Sequence, residues 1–340
     1  MHVVIRADGG QKIGYGHLSR SGALAEEILA CGHTATVATT TPQPAQEAFP
    51  TDTQTVELPS RGNPEPFINW LETTDPDAVF TDVYPVDTEY QRAIKKRFPL
   101  AVLQDDARHA ICADLFTNGN LYAPRLEYEF IGEPPEQYLG TDYVLLRQEI
   151  REAVTDETPW REQPKRAIIM MGGSDIAGLT PTAVRAFDGC DLRINAIVGP
   201  GCSAEQEEAI REAADACTAD VHVDRDPDDL VDRMAQADFA VSTASSTTYE
   251  LLALGTPIIS IPVVDNQKPI AAALRTHDAA MVLNRGDGSE AFHSAIKEYI
   301  QETELRRQRQ VGGRKLVDGK GTERIAENII KIGETQPKSN

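Results

Sequence analysis

Several things are scarce or missing from this chain of 340 residues, and each absence removes a class of function. No apolar run approaches the roughly 20 residues that span a bilayer, although hydrophobic residues make up 41% of the chain, enough for a packed interior. No basic segment and apolar signal core stand before the opening strand, so a cytoplasmic location is expected. Cysteine is sparse: Cys31, Cys112, Cys190, Cys202 and Cys217 are odd in number, scattered and free of any CxxC pair, which indicates neither a zinc site nor a disulfide framework. Lysine and arginine total 33 against 53 aspartates and glutamates, a net charge of −20 that argues against nucleic acid and anionic membranes as partners. The carboxylates are spread (Glu26-Glu27, Asp75, Asp77, Glu205, Glu207-Glu208, Asp226, Asp228-Asp229), as on a surface adapted to high salt. A halophilic source is therefore a hypothesis, and an activity optimum at low salt would count against it. There is no HxH or HxxE pattern, and no internal sequence repeat beyond the architectural one.

The most informative segment present is Val3–Arg20. Val3-Val4-Ile5 reads as a buried strand, and a helix pattern begins around His17 with Leu18, Leu24, Ala25, Ile28 and Leu29 on its apolar face. Between them, Gly9, Gly10, Gly14 and Gly16 permit tight turning and leave room for a ligand. The first-turn N–H groups of a helix lack internal partners and its dipole favours an anion there. His17 thus stands where a phosphate or sugar would lie, with a side chain able to exchange a proton near neutral pH. The loop is not the dinucleotide fingerprint, because Arg20 occupies the place of the third glycine. A glycine-bearing first loop is also common in α/β proteins without any such role.

Along the chain, strand-like and helix-like pieces alternate, which predicts parallel sheets covered on both faces. Strands are read at 34–38, 55–58, 78–81, 100–103 and 115–118, with helices at 67–72 and 88–97. A polar, proline-bearing stretch over roughly 151–165 reads as a linker, and the pattern then restarts. This gives an N-terminal domain over 1–152 and a C-terminal domain over 165–332, with a ligand cleft expected between the carboxyl ends of the two sheets. The stretch 302–332 reads as helical and broken at Gly312-Gly313 and at 318–321, its last helix crossing back to the first domain. Arg306, Arg307, Arg309, Arg314, Lys315 and Lys320 read as a solvated face, and the tail after Gly333 as unstructured.

Two strand-to-helix turns in the second half repeat the logic of the first loop. Gly172-Gly173-Ser174 allows close backbone approach, and Ser245-Ser246-Thr247-Thr248 offers hydroxyl and N–H groups to a phosphate. A Ser/Thr cap alone explains part of this run, but the run is longer than one cap requires. Glu250, one turn later, can accept from ribose hydroxyls, while Asn266 and Gln267 offer donors and acceptors to a sugar's hydroxyl or acetamido groups. His33, His109, His222, His277 and His293 read as structural or surface residues.

Taken in order, these motifs resemble the PseG-type UDP-2,4-diacetamido-2,4,6-trideoxy-β-L-altropyranose hydrolases. The resemblance rests on Arg6-Ala7-Asp8-Gly9-Gly10, Ile13 to His17, Asp82-Val83-Tyr84, Asp105-Asp106, Leu145-Leu146-Arg147, Gly172 to Asp175, Ser245 to Glu250, and Asn266-Gln267. The second half alone also resembles MurG-like enzymes. The resemblance implies a glycosyltransferase-B (GT-B) fold, two Rossmann-like domains facing a central cleft. It further implies inverting hydrolysis of a UDP-sugar to free sugar and UDP without a metal or other cofactor. His17 would be the catalytic group; Gly14, Gly16, Tyr84, Asn266 and Gln267 would contact the sugar or water. Gly172, Gly173, Ser174, Ser245, Ser246, Thr247, Thr248 and Glu250 would hold UDP. Asp82-Val83-Tyr84-Pro85 departs from the family's usual Asp-His/Asn-Tyr-Gly sequence. The competing readings are a UDP-sugar glycosyltransferase with an organic acceptor, a non-catalytic nucleotide-sugar-binding subunit, and a metal-dependent hydrolase using Asp8, Asp82, Asp105 and Asp106. Membrane-acting transferases show an apolar and basic patch that residues 1–150 lack.

Overall fold

In β1 (His2–Ala7), Val3, Ile5 and Ala7 turn to one side and Val4 to the other, and all four are fully buried. A strand apolar on both faces has to lie between two covering layers, which is the condition of a parallel sheet. The computed structural model describes residues 1–10, 13–155 and 159–335, so Gln11-Lys12 of the first loop and Asp156–Thr158 of the linker lie outside the described residues. The chain forms two compact units, one of Met1–Gln148 with the segment from Gly319, the other of Glu149–Asp318.

In the first unit β1 is followed by α1 (Gly16–Ala30), β2 (Thr34–Thr39), α2 (Pro42–Ala48), β3 (Gln54–Glu57), α3 (Glu65–Thr74), β4 (Ala78–Asp82), α4 (Thr88–Lys95), β5 (Leu100–Leu103), β6 (Leu115–Asn118) and β7 (Glu136–Leu139). The strands form one parallel sheet in the order β3-β2-β1-β4-β5-β6-β7. From β1 the chain builds outward to one edge, and from β4 to the other. The carboxyl ends of β1 and β4 therefore flank the crevice where ligands bind in such sheets.

The second unit repeats the plan. It comprises α5 (Gln148–Ala153, starting at the boundary), β8 (Arg166–Met170), α6 (Thr180–Arg185), β9 (Arg193–Val198), α7 (Ala204–Asp215), β10 (Asp220–Arg225), α8 (Leu230–Gln236), β11 (Phe239–Thr243), α9 (Thr247–Leu254), β12 (Ile258–Ile261), α10 (Lys268–Thr276), β13 (Met281–Val282), α11 (Ser289–Gln301) and α12 (Thr303–Leu316). Its parallel sheet runs β10-β9-β8-β11-β12-β13, with the same reversal between β8 and β11.

The final helix, α13 (Gly321–Thr335), belongs to the first unit. Its stripe of Ile325, Ala326 and Ile329 joins Leu18, Leu24, Ala25 and Ile28 of α1 over the Val3/Ile5 face of the sheet. Phe67 and Leu71 of α3 with Tyr90 and Ile94 of α4 cover the opposite face. Each fully buried isoleucine contributes about 2 kcal/mol through its apolar area, which holds the chain terminus on the first sheet. The units accordingly divide at 148/149 and 318/319; composition read a linker over 151–165 and a last helix crossing back to the first domain.

Three expectations for the C-terminal stretch are corrected. Helix α12 continues through Gly312-Gly313, because a side chain at Gly313 would meet Leu252 Cδ2 at 3.0 Å and its carbonyl oxygen at 3.3 Å. The glycine there serves close packing of α12 on α9, not a break. Nor are the arginines all solvated: Arg306 is 0% and Arg309 9% exposed. Arg306 donates to the carbonyls of Tyr299, Arg161 and Glu162 at 2.6–2.7 Å and lies over the Trp160 ring, so it fastens the linker to α12. The helix α13 also extends past Gly333 to Thr335, and residues 336–340 lie outside the described residues.

Candidate active site

The first unit's site grows from the β1/β4 crevice. Ala7 pairs with Asp82 in the register of these two strands, so the loop after β1 and the end of β4 are neighbours although far apart in sequence. Within the loop, Gly10 and Gly14 exchange backbone hydrogen bonds at 3.0 and 2.7 Å, and Gly14 holds a φ of 94° that a side chain would strain. This closes a narrow turn that starts α1 at Gly16 and sets His17 one residue inside it. Tyr15, before the positive end of α1, makes no side-chain cap bond.

Asp82 meets the ring there: His17 Nδ1 lies 2.6 Å from Asp82 Oδ1. Arg20, one turn further along α1, donates from Nε and Nη2 to Asp82 at 2.6 Å each and from Nη1 and Nη2 to Asp105 at 2.8 and 2.9 Å. The Ser21 hydroxyl adds a bond to Asp82 Oδ2 at 3.2 Å. Burial disfavours charge on Asp82, but the Arg20 guanidinium and the His17 ring outweigh it and hold the carboxyl well below the usual carboxylate range. Asp105 is lowered in the same way, against its burial, chiefly by Arg20. Burial likewise opposes the Arg20 charge, yet Asp105 and Asp82 raise its pKa well above the ordinary arginine value. One guanidinium between two ionised carboxylates leaves one net negative charge beside the imidazole.

An ionised Asp82 can only accept, so the proton on His17 belongs on Nδ1 and the lone pair of the neutral ring on Nε2. Nε2 makes no hydrogen bond to the described residues. The ring lies edge-on to Tyr84, with centroids 4.7 Å apart, and Arg108 stacks over Tyr84 at 4.3 Å. Together with Thr81, Val86 and Gln104 these residues line a small pocket open to solvent. The carboxylates that a metal-dependent reading would need are instead held by guanidinium groups: Asp8 by Arg6 and Arg61, Asp82 and Asp105 by Arg20, Asp106 by Arg108.

In the second unit, the two motifs flank the β8/β11 reversal. Gly172, at φ 84°, lies against Thr243, since a side chain on it would approach Thr243 Oγ1 to 3.8 Å. Asp175 uses both carboxylate oxygens on the N–H groups of Leu179 and Thr180, which caps α6. At the start of helix α9, Ser246 is exposed and makes no side-chain cap bond. Ser245 and Thr247 are half-buried, and Glu250 sits in the first turn. Thr248 differs from its neighbours: it is fully buried and its hydroxyl is 3.4 Å from the Thr243 carbonyl. That hydroxyl secures the turn from inside. Asn266 is exposed, whereas Gln267 Oε1 accepts from the Val263 N–H at 2.8 Å and so closes its own loop. The six other histidines are half-buried or exposed, and His293 bonds the Ala186 carbonyl.

No protein-family model matches the chain. It is 25% identical over 334 residues to the spore coat polysaccharide biosynthesis protein SpsG of Bacillus subtilis, an alignment covering 96% of each chain. It is 26% identical over 186 residues to the UDP-2,4-diacetamido-2,4,6-trideoxy-β-L-altropyranose hydrolase of Campylobacter jejuni, covering 53% of this chain and 63% of the relative. Among solved structures it superposes on Acinetobacter baumannii MurG with a TM-score of 0.70 at 16% identity, over 97% of this chain and 99% of the other. The calicheamicin glycosyltransferase CalG4 gives 0.68 at 14% identity, over 98% and 99%. The fold is that of the GT-B glycosyltransferases. Its two parallel sheets, each with a reversal at the centre, account for that likeness.

Within this GT-B chain, sequence reasoning singled out His17 and passed over the residues that orient it. Asp82 and Asp105 entered only as parts of motifs and as candidate metal ligands, and Arg20 only as the residue replacing a glycine. The usable signal was their common position at strand ends, Asp82 closing β4 and Asp105 two residues beyond β5.

Proposed function

We propose that this protein is a nucleotide-sugar enzyme of polysaccharide biosynthesis that hydrolyses a UDP-linked diacetamido-trideoxy sugar to the free sugar and UDP. The observation that carries the reading is His17, held through Nδ1 by a buried carboxylate while Nε2 makes no hydrogen bond to the described residues. Such a ring removes a proton from water at Nε2 while Asp82 stabilises the imidazolium that results. The water oxygen bonds to the anomeric carbon on the face opposite the nucleotide, the C–O bond to the diphosphate breaks, and UDP departs with the bonding pair. UDP is a stable anion, so no strong general acid is required. In this reading Ser245, Ser246 and Thr247 at the start of α9, with the Gly172-Gly173-Ser174 turn, bind the diphosphate. Glu250 accepts from the ribose, and Gly14, Gly16, Tyr84 and Asn266 contact the sugar.

The likeness to a named hydrolase over half the chain supports the substrate class, and the likeness to SpsG over nearly all of it supports a role in polysaccharide biosynthesis. A second reading, transfer of the sugar to an organic acceptor, is favoured by the whole-chain likeness to glycosyltransferase structures. The test is release of UDP from UDP-2,4-diacetamido-2,4,6-trideoxy-β-L-altropyranose in ¹⁸O-labelled water, for wild type and His17→Ala. Label at the anomeric oxygen of the product, with loss of turnover in the variant, is the expected result. UDP binding without release would refute hydrolysis of this substrate.

A further inference from the structure

The ring nitrogen that faces Asp82 has a second neighbour. Arg20 Nη2 lies 3.3 Å from His17 Nδ1, while Asp82 Oδ1 lies 2.6 Å from it. A guanidinium has no acceptor. Were Nη2 to donate to Nδ1, the ring proton would have to sit on Nε2, and that nitrogen would lose the lone pair that takes a proton from water. Both Nη2 hydrogens are taken by carboxylates, one by Asp82 Oδ1 at 2.6 Å and the other by Asp105, whose oxygens accept from Nη1 and Nη2 at 2.8 and 2.9 Å and draw that edge of the guanidinium to the side. Asp105 is itself fixed: the Asn120 amide donates to its Oδ1 at 2.9 Å, and the Tyr122 hydroxyl donates to its backbone carbonyl at 2.8 Å. A carboxylate with a single strong partner would be free to follow Arg20; this one is anchored from a different strand end.

We infer that Asp105 is a positioning residue that selects the Nδ1–H tautomer of His17 by holding Arg20 off the ring. It touches neither the sugar nor the attacking water in this scheme, and the inference rests on the reading of His17 as the proton acceptor. In Asp105→Asn, the amide replaces one acceptor oxygen with a donor, the double bond to Arg20 is lost, and Nη2 can compete for Nδ1.

The experiment is ¹⁵N–¹H correlation spectroscopy of protein labelled at histidine, with the His17 signals assigned by His17→Asn and the tautomer read from the two ring nitrogen shifts. Wild type is expected in the Nδ1–H form, and folded Asp105→Asn with a raised share of the Nε2–H form. UDP release by the variant should fall in kcat by about tenfold, the worth of one charge-assisted hydrogen bond, with KM within about twofold. Asp105→Glu, which restores the charge, should recover most of both signals. An Nε2–H ring in wild type, or an unchanged tautomer in folded Asp105→Asn, overturns the inference. Should Asp105→Asn not fold, Asn120→Ala is read in the same way, since it frees the Asp105 carboxylate to follow Arg20. The ring measurement needs no substrate, so its outcome is separate from that of the hydrolase reading, which fails instead if wild type releases no UDP.

Discussion

Asp82→Asn probes the reading most directly, because the change keeps size and shape while removing one charge. The carboxylate receives His17 Nδ1 at 2.6 Å, two Arg20 bonds at 2.6 Å and the Ser21 hydroxyl at 3.2 Å, with its side chain 1% exposed. Asparagine has one acceptor oxygen for these donors, and its amide turned toward the ring would force the proton onto Nε2. Loss of a charge-assisted hydrogen bond to the imidazolium costs about 1.5–3 kcal/mol. The tautomer change adds to that, toward the roughly 10⁴-fold drop seen when a triad carboxylate becomes an amide. We therefore expect kcat to fall by about 10²- to 10³-fold while KM stays within about threefold, because the lost interaction strengthens only as the ring becomes charged. Stability should fall as well, by about 1.5–3 kcal/mol, since Arg20 keeps Asp105 but loses its charge-assisted bonds to Asp82. Steady-state UDP release, with thermal unfolding of the same samples, separates the two effects. A folded variant that keeps a third or more of wild-type kcat would refute the argument that Asp82 prepares His17.

Three further outcomes follow from the structure. Asp82 and Asp105 have folded-state pKa values lowered by Arg20; such groups add stability that is full above the unfolded carboxylate value and is lost as pH falls through the folded one. Urea unfolding midpoints should hence decline as pH drops below about 4, and the decline should be shallower in Asp105→Asn. Gly313→Val would drive methyl groups into Leu252, whose nearest atom already lies 3.0 Å from an added Cβ; a loss of about 1–3 kcal/mol in denaturant unfolding is expected. Ile329→Ala removes a fully buried side chain from the face shared by α1 and α13, and should cost about 2–5 kcal/mol, read as a lower unfolding midpoint of the first unit.

The fold was legible because its causes are local. Runs such as Ala78–Asp82 and Ile258–Ile261 are apolar on both faces, and helical periodicity between them leaves a parallel sheet as the consistent arrangement. Elements that lack this signature escaped: β7 reads Glu-Gln-Tyr-Leu with its first two residues exposed, and α2 carries two prolines and buries only Ala45. The fate of the basic residues in α12 was illegible for a different reason. Burial of Arg306 depends on three carbonyls, two of them from a linker about 145 residues away, and no composition rule contains that partner.

The candidate site divides along the same line. A glycine loop that opens a helix is written in consecutive residues, so His17 could be singled out from the sequence. Its orientation is written across 65 residues, in the pairing of Ala7 with Asp82 that exists only once β1 and β4 lie side by side. The reversal of strand order at that pair is what makes the partnership possible, because both loops leave the sheet at the same end and diverge. Between them, the buried Asp82 is stabilised by Arg20 and by His17 together. In the proposed reaction the chemistry resides in the pairing more than in the histidine: a histidine placed in the same loop without Asp82 would keep the position and lose the tautomer. His17→Ala and Asp82→Asn should therefore be far from additive in UDP release, the double variant resembling His17→Ala alone.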